Sequence, residues 1–193
     1  MIRQLLTAPN QITLLRFIFI PFIIINIVDH NYGWALILMV LAGTSDGIDG
    51  LLARKLKQQT RLGQYLDPIA DKLLLSSTFL VLSIVHQIPW KYTVLVFSRD
   101  LIILATCAVI YATTNLRDFS PSIFGKINTF AQILTVFFVV LYEVHGVLWV
   151  LICRRLGLYS TMAFTIISGV HYVFLVGVRL RDLERARTRA IAS

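Results

Sequence analysis

From about residue 12 to residue 178 the chain is a succession of apolar runs, each about as long as a lipid bilayer is thick, divided by short polar breaks. An apolar medium offers no partner to a backbone N–H or C=O. A run of this kind therefore satisfies its own backbone, and a helix is the form that does so within one segment. Six spans are predicted, at roughly 12–29, 34–53, 67–87, 92–113, 127–145 and 157–178. Hydrophobic residues make up 57% of the chain, above the 45–50% or so of soluble domains. The expectation is an all-α integral membrane protein with six transmembrane helices, one domain over residues 1–193. A short interfacial helix is expected within residues 1–8, where Ile2, Leu5 and Leu6 share a side, and a basic tail from about 179 to 193. The stretch 146–153 is apolar but too short to span alone, and is read as an extension of the fifth helix or an interfacial segment.

The breaks carry turn chemistry. Asp29-His-Asn-Tyr-Gly33 separates the first two runs, Ile88-Pro89 precedes the fourth, and Ser120-Pro121-Ser122 precedes the fifth. Asn10, after Pro9, is placed to cap the first helix. Arg16 interrupts the first run and no small-residue cleavage pattern follows, so that helix is expected to stay with the protein. Cys107 and Cys153 lie in separate runs and show no metal spacing, and His30, His86, His145 and His171 are scattered.

Basic residues fix an expected orientation. One side collects Arg3, Arg54, Lys55, Lys57, Arg61, Arg117, Lys126 and the arginines of 179–189; the other holds only Lys91, Arg154 and Arg155. The positive-inside rule then puts both termini in the cytoplasm, on a multi-pass protein of the cell's inner membrane. The net charge of +8 reflects this anchoring on anionic headgroups. Nucleic acid is excluded as a partner, because the tail has no interleaved aromatics.

Chemistry concentrates in Asp46-Gly-Ile-Asp49-Gly50-Leu-Leu-Ala53-Arg54 and Gly63-Gln-Tyr-Leu-Asp67-Pro-Ile-Ala-Asp71. On a helix, Asp46, Asp49, Gly50 and Ala53 fall within about 100° of one another. Asp67 and Asp71 share a face at i and i+4, and Asp67-Pro68 reads as a helix start. With a short loop between, the two helices should be antiparallel neighbours whose acids converge. Carboxylates at membrane depth need a counter-charge, and such a set suits hard cations such as Mg²⁺ or Mn²⁺, two of which can share bridging acids. Gly50, Ala53 and Gly63 leave room for a nucleotide beside the backbone. Arg54 and Lys126 can hold phosphate oxygens. An acid not fully engaged by metal can serve as general base toward a hydroxyl. Small residues alone would signal helix packing, and a lone Asp would be paired with Lys72 or Arg99; four acids with two glycines and an arginine go beyond either reading.

At these residues the chain resembles the CDP-alcohol phosphatidyltransferase family, whose motif D-x2-D-G-x2-A-R-x8-G-x3-D-x3-D it fits at every fixed position. Pro9-Asn10, Thr13 and Arg16 are similar to the family's N-terminal P-N-x2-T-x2-R. Ser98-Arg99-Asp100 and Gly125-Lys126-Ile-Asn128-Thr129-x2-Gln132 are similar to later motifs of its glycerophospholipid branches. The resemblance implies a six-helix membrane fold, a homodimer, a site open to the cytosol, and two divalent cations, Mg²⁺ or Mn²⁺, held by Asp46, Asp49, Asp67 and Asp71. It makes Asp71 the catalytic base. Gly50, Ala53, Arg54 and Gly63 would bind the CDP moiety of CDP-diacylglycerol, with Asp46 near the pyrimidine. The acceptor hydroxyl then attacks the lipid-linked phosphorus and CMP leaves.

The acceptor is expected to be a glycerol-bearing molecule, held by Arg99, Arg117, Lys126 and Asn128. The family's base rate and the charge of Arg99, Arg117 and Lys126 favour glycerol 3-phosphate. The run Lys126-Ile-Asn128-Thr129 resembles the branch whose acceptor is phosphatidylglycerol, because many glycerol 3-phosphate enzymes carry a second lysine at the position of Asn128. A cation-coupled transporter is the rival from another class. It predicts inverted repeats and midplane acids, whereas no repeat is found and these acids sit near one end of their runs.

Overall fold

A computed structural model describes the backbone of residues 8–56, 61–113 and 123–192, and the side chains of 15–45, 69–105, 123, 125–172 and 177. Six helices follow one another: α1 (Ala8–Val28), α2 (Tyr32–Leu56), α3 (Arg61–Ile84), α4 (Trp90–Thr113), α5 (Ile123–His145) and α6 (Leu148–Ala192). The expected interfacial helix at 1–8 lies outside the described residues.

The helix count matches the sequence reading; six transmembrane spans do not. Among the described residues only Gly125–His145 and Leu148–Tyr172 are long and apolar enough to cross a membrane. Leu15–Val28 and Tyr32–Ser45 are shorter apolar stretches. Within α3 and α4, Asp71 and Lys72, and Lys91, Arg99 and Asp100, interrupt the apolar sequence.

Other boundaries move for local reasons. The first helix already begins at Ala8, with Pro9 in its first turn, where a missing N–H costs nothing; Asn10 is not its cap. α3 starts at Arg61, upstream of Pro68, so Asp67-Pro68 is not a helix start. The segment 146–153 neither extends the fifth helix nor lies apart, because the last helix begins at Leu148 and runs on to Ala192.

Three tight turns lie at one pole. Asn31 N donates to Asn26 O at 2.8 Å and Gln87 N to Leu82 O at 2.8 Å, closing α1 and α3. The residues before them, His30 and His86, adopt left-handed φ of 58° and 62°, and Gly146 does so at 61° after α5. Side chains tie these turns together. Tyr32 Oη contacts His30 Nδ1 at 2.9 Å and accepts from Gln87 Nε2 at 3.4 Å. Arg154 donates to Glu143 Oε1 at 3.0 Å and to the Gln87 carbonyl at 2.6 Å, and lies over the Tyr142 ring. With these turns at one pole, the last turns of α2 and the first turns of α3, which carry the acidic motif, fall at the other.

The core runs through the middle of the bundle: Ile23 and Ile27 of α1, Ala35 of α2, Phe79 and Leu82 of α3, Val96 of α4, Val136, Val139 and Val140 of α5, and Leu158 of α6. α5 packs most closely on α6. At Gly157 an added Cβ would stand 3.0 Å from Thr135 Oγ1. Inside the bundle lie polar residues as well, including Arg16, Thr78, Arg99, Asn128, Gln132, Thr135, Thr161 and Ser168. The outer face is apolar, with Phe22, Trp34, Val94, Leu101, Phe130, Leu148 and Val170 exposed. An apolar outer surface of this extent around a partly polar interior belongs to a membrane-associated protein.

Candidate active site

The motif residues divide between two facing helix ends. Asp46, Asp49, Gly50, Ala53 and Arg54 are on the last turns of α2, which stays helical to Leu56, and Gly63, Asp67 and Asp71 are on the first turns of α3. The helical frame that the spacing argument required is therefore present on both sides. Of these residues only Asp71 has its side chain among those described, and Arg117 lies outside the described residues altogether.

α2 and α3 each pack on α1 and on α5. Among the described residues they share the wall of a cavity of about 480 Å³. Its wall combines Arg16 of α1, Met39, Ala42 and Gly43 of α2, Asp71, Lys72, Leu75 and Thr78 of α3, and Thr129, Ile133 and Val136 of α5. The charged groups and Thr129 supply polarity to a lining that is otherwise largely apolar. Such a shape suits a ligand with a charged head and an apolar body.

Charge pairing runs across the helices. Arg16 Nη1 donates to Asp71 Oδ1, joining α1 to α3. Lys72 pairs with Asp100 Oδ2 of α4. Arg99 donates to Asp100 Oδ1 at 3.0 Å and, through Nη2, to Ser168 Oγ of α6 at 2.7 Å. Asp71 thus pairs with Arg16, while Lys72 and Arg99, the cations that sequence alone offered to a lone Asp, both pair with Asp100. The signal was available, since Arg16 belongs to a motif that was recognised, but a contact between residues 55 apart in sequence leaves no periodic trace.

The residues expected to hold an acceptor separate in space. Lys126 is exposed and borders a recess with Gly125, Thr129, Phe130 and Ile133, two of which also line the main cavity. Asn128 is fully buried, and its Oδ1 accepts from Thr165 Oγ1 of α6 at 2.9 Å. Arg99 is 9% exposed and held between Asp100 and Ser168. Among the described residues no three His, Cys, Asp or Glu side chains converge. The chemistry of the motif's donor set, carboxylates on two facing helix ends, fits a hard divalent cation.

The chain matches the CDP-alcohol phosphatidyltransferase family over residues 6–177. It is 32% identical over 179 residues to the CDP-diacylglycerol–glycerol-3-phosphate 3-phosphatidyltransferase of Bacillus subtilis (strain 168), covering 85% of this chain and 92% of that one. The protein of the same name from Blochmanniella floridana is 31% identical over 175 residues, 87% of this chain and 90% of the relative. The cardiolipin synthase (CMP-forming) of Homo sapiens is 30% identical over 149 residues, 67% of this chain but only 48% of the human one. This chain, a helical, membrane-associated bundle that carries the motif, belongs to the CDP-alcohol phosphatidyltransferase family. It is an enzyme that transfers a phosphatidyl-type group from a CDP-alcohol, which sets the transporter reading aside.

Proposed function

We propose that the chain transfers the phosphatidyl group of CDP-diacylglycerol to the hydroxyl of glycerol 3-phosphate, forming phosphatidylglycerophosphate and releasing CMP. The observation that carries this reading is the cavity between α2 and α3, with Asp71 in its wall and cationic residues around it. The near-complete coverage of the glycerol 3-phosphate relatives supports the choice of acceptor.

Asp46, Asp49, Asp67 and Asp71 would hold two divalent cations, Mg²⁺ or Mn²⁺. When bound, these offset charge that builds on the diphosphate in the transition state. Gly50, Ala53, Arg54 and Gly63 border the cytidine diphosphate. Asp71 receives the proton of the acceptor hydroxyl as its oxygen bonds to the lipid-linked phosphorus; the bridging P–O bond breaks and CMP leaves with the electron pair. Lys126, exposed beside the cavity, meets the acceptor phosphate as a point charge. Arg99 and Asn128 support the acceptor side through the helices they join, and Arg117 contributes charge there. The motif end of the bundle faces the cytoplasm, and the enzyme works as a homodimer.

A second reading keeps the chemistry and changes the acceptor to phosphatidylglycerol. It is favoured by the likeness to the human enzyme.

The test supplies purified protein in vesicles with CDP-diacylglycerol, Mg²⁺ or Mn²⁺, and either glycerol 3-phosphate or phosphatidylglycerol, and identifies the lipid by mass spectrometry. Phosphatidylglycerophosphate with stoichiometric CMP is expected, and Asp71→Asn should lower turnover by about a thousandfold or more. Product only with phosphatidylglycerol would establish the second reading. Undiminished turnover in excess chelator would remove the metal from the scheme.

A further inference from the structure

Arg16 is absorbed neither by the acidic motif nor by the chemistry proposed for it. It comes from α1, and its residue is 1% exposed, the largest fully buried side chain among those described. A guanidinium withdrawn from water is costly unless a carboxylate meets it, and the carboxylate it meets is Asp71. Asp71 itself is 51% exposed and lines the cavity. A half-exposed carboxylate gains its orientation less from close packing than from what holds it. Lys72, its chain neighbour, is engaged by Asp100, on the side of α4.

We infer that Arg16 is a positioning residue for phosphatidyl transfer: its buried guanidinium sets the direction in which the Asp71 carboxylate meets the acceptor hydroxyl. This rests on the reading of Asp71 as the base. The described contact is a single one, Nη1 to Oδ1, and arginine suits the task because its charge is permanent and its guanidinium is fixed in place by burial. Misplacement of a base by a fraction of an ångström acts on the transition state far more than on bound substrate. The effect therefore falls on kcat rather than KM.

The experiment compares wild type, Arg16→Lys and Arg16→Met in vesicles, with CDP-diacylglycerol and each acceptor. It reads kcat, KM, thermal unfolding and Mn²⁺ binding by electron paramagnetic resonance. Arg16→Lys should lose about tenfold and Arg16→Met about a hundredfold in kcat, with KM for CDP-diacylglycerol within about threefold of wild type. Arg16→Lys should unfold close to the wild-type temperature. Arg16→Met should bind Mn²⁺ about three- to tenfold more tightly, because a cation beside the acids is gone, while Arg16→Lys binds it unchanged. A folded Arg16→Met with kcat within twofold of wild type would overturn the inference. So would a fall in kcat that merely tracks unfolding, including loss of folded protein in both variants. If wild type releases no CMP with either acceptor, the proposed function fails and takes this inference with it. Normal wild-type turnover with indifferent Arg16 variants defeats the inference alone.

Discussion

Asn128 and Lys126 stand two positions apart on α5 and live in different environments. Lys126 is exposed beside the cavity, whereas Asn128 is 0% exposed and bonded to Thr165 across the α5–α6 contact. Its Nδ2, like Gln132 Nε2 one turn on, is buried without a hydrogen-bond partner among the described residues. A lysine at 128 would carry an ammonium into that contact, at a cost of about 3 kcal/mol when no acid receives it. Asn128→Lys is therefore expected to lower the unfolding temperature by about 5–10 °C and to leave the ratio of the two acceptors unchanged in the protein that survives. Lys126→Met should do the reverse, raising KM for glycerol 3-phosphate with little change in stability. Thermal unfolding and acceptor competition on the two variants check both statements, and a stable Asn128→Lys enzyme with altered acceptor choice would return position 128 to the substrate.

Helix ends show what the sequence could and could not convey. His86 closes α3 with φ at 62°, a conformation that L side chains enter at a cost of about 1 kcal/mol and glycine enters freely. His86→Gly should raise the unfolding temperature by about 2–4 °C, and His86→Val should lower it by at least as much. Calorimetry in one detergent would decide, and no rise with glycine would mean that the His86 side chain contributes more than its backbone strain costs. The central parts of all six helices were legible because each is an apolar run broken by turn chemistry. The stretches 61–66 and 148–156 were not, because polar residues such as Arg61 and Gln64 continue a helix without adding to hydropathy, and Arg154 and Arg155 interrupt an apolar one. The motif's placement on two helix ends was legible from i, i+3 and i+4 spacing. The Arg16–Asp71 and Lys72–Asp100 pairs and the Asn128–Thr165 contact were not, since tertiary pairing has no period along the chain.

At the scale of the whole molecule, buried polar groups lie inside the bundle and a broad apolar surface lies outside, and the tryptophans stand at one end of that surface. Trp34, Trp90 and Trp149 each lie in the first turn of a helix, α2, α4 and α6, beside the tight turns of the pole opposite the acidic motif. All three are exposed, at 65%, 48% and 57%. On the membrane placement proposed above, three indoles at one pole would form an aromatic belt, where the ring sits among headgroups and the N–H reaches water. They are the chain's only tryptophans, so its fluorescence reports this level alone. In vesicles, lipids brominated near the headgroup should quench that emission more strongly than lipids brominated at mid-chain. Variants that keep a single tryptophan should each give the same order. An aqueous quencher confined to the face opposite the motif should reach all three. If any one of them is quenched best from mid-chain, or from the motif's own side, the three turns do not share a membrane surface. The assignment of the active site to the other face would then lose its structural support.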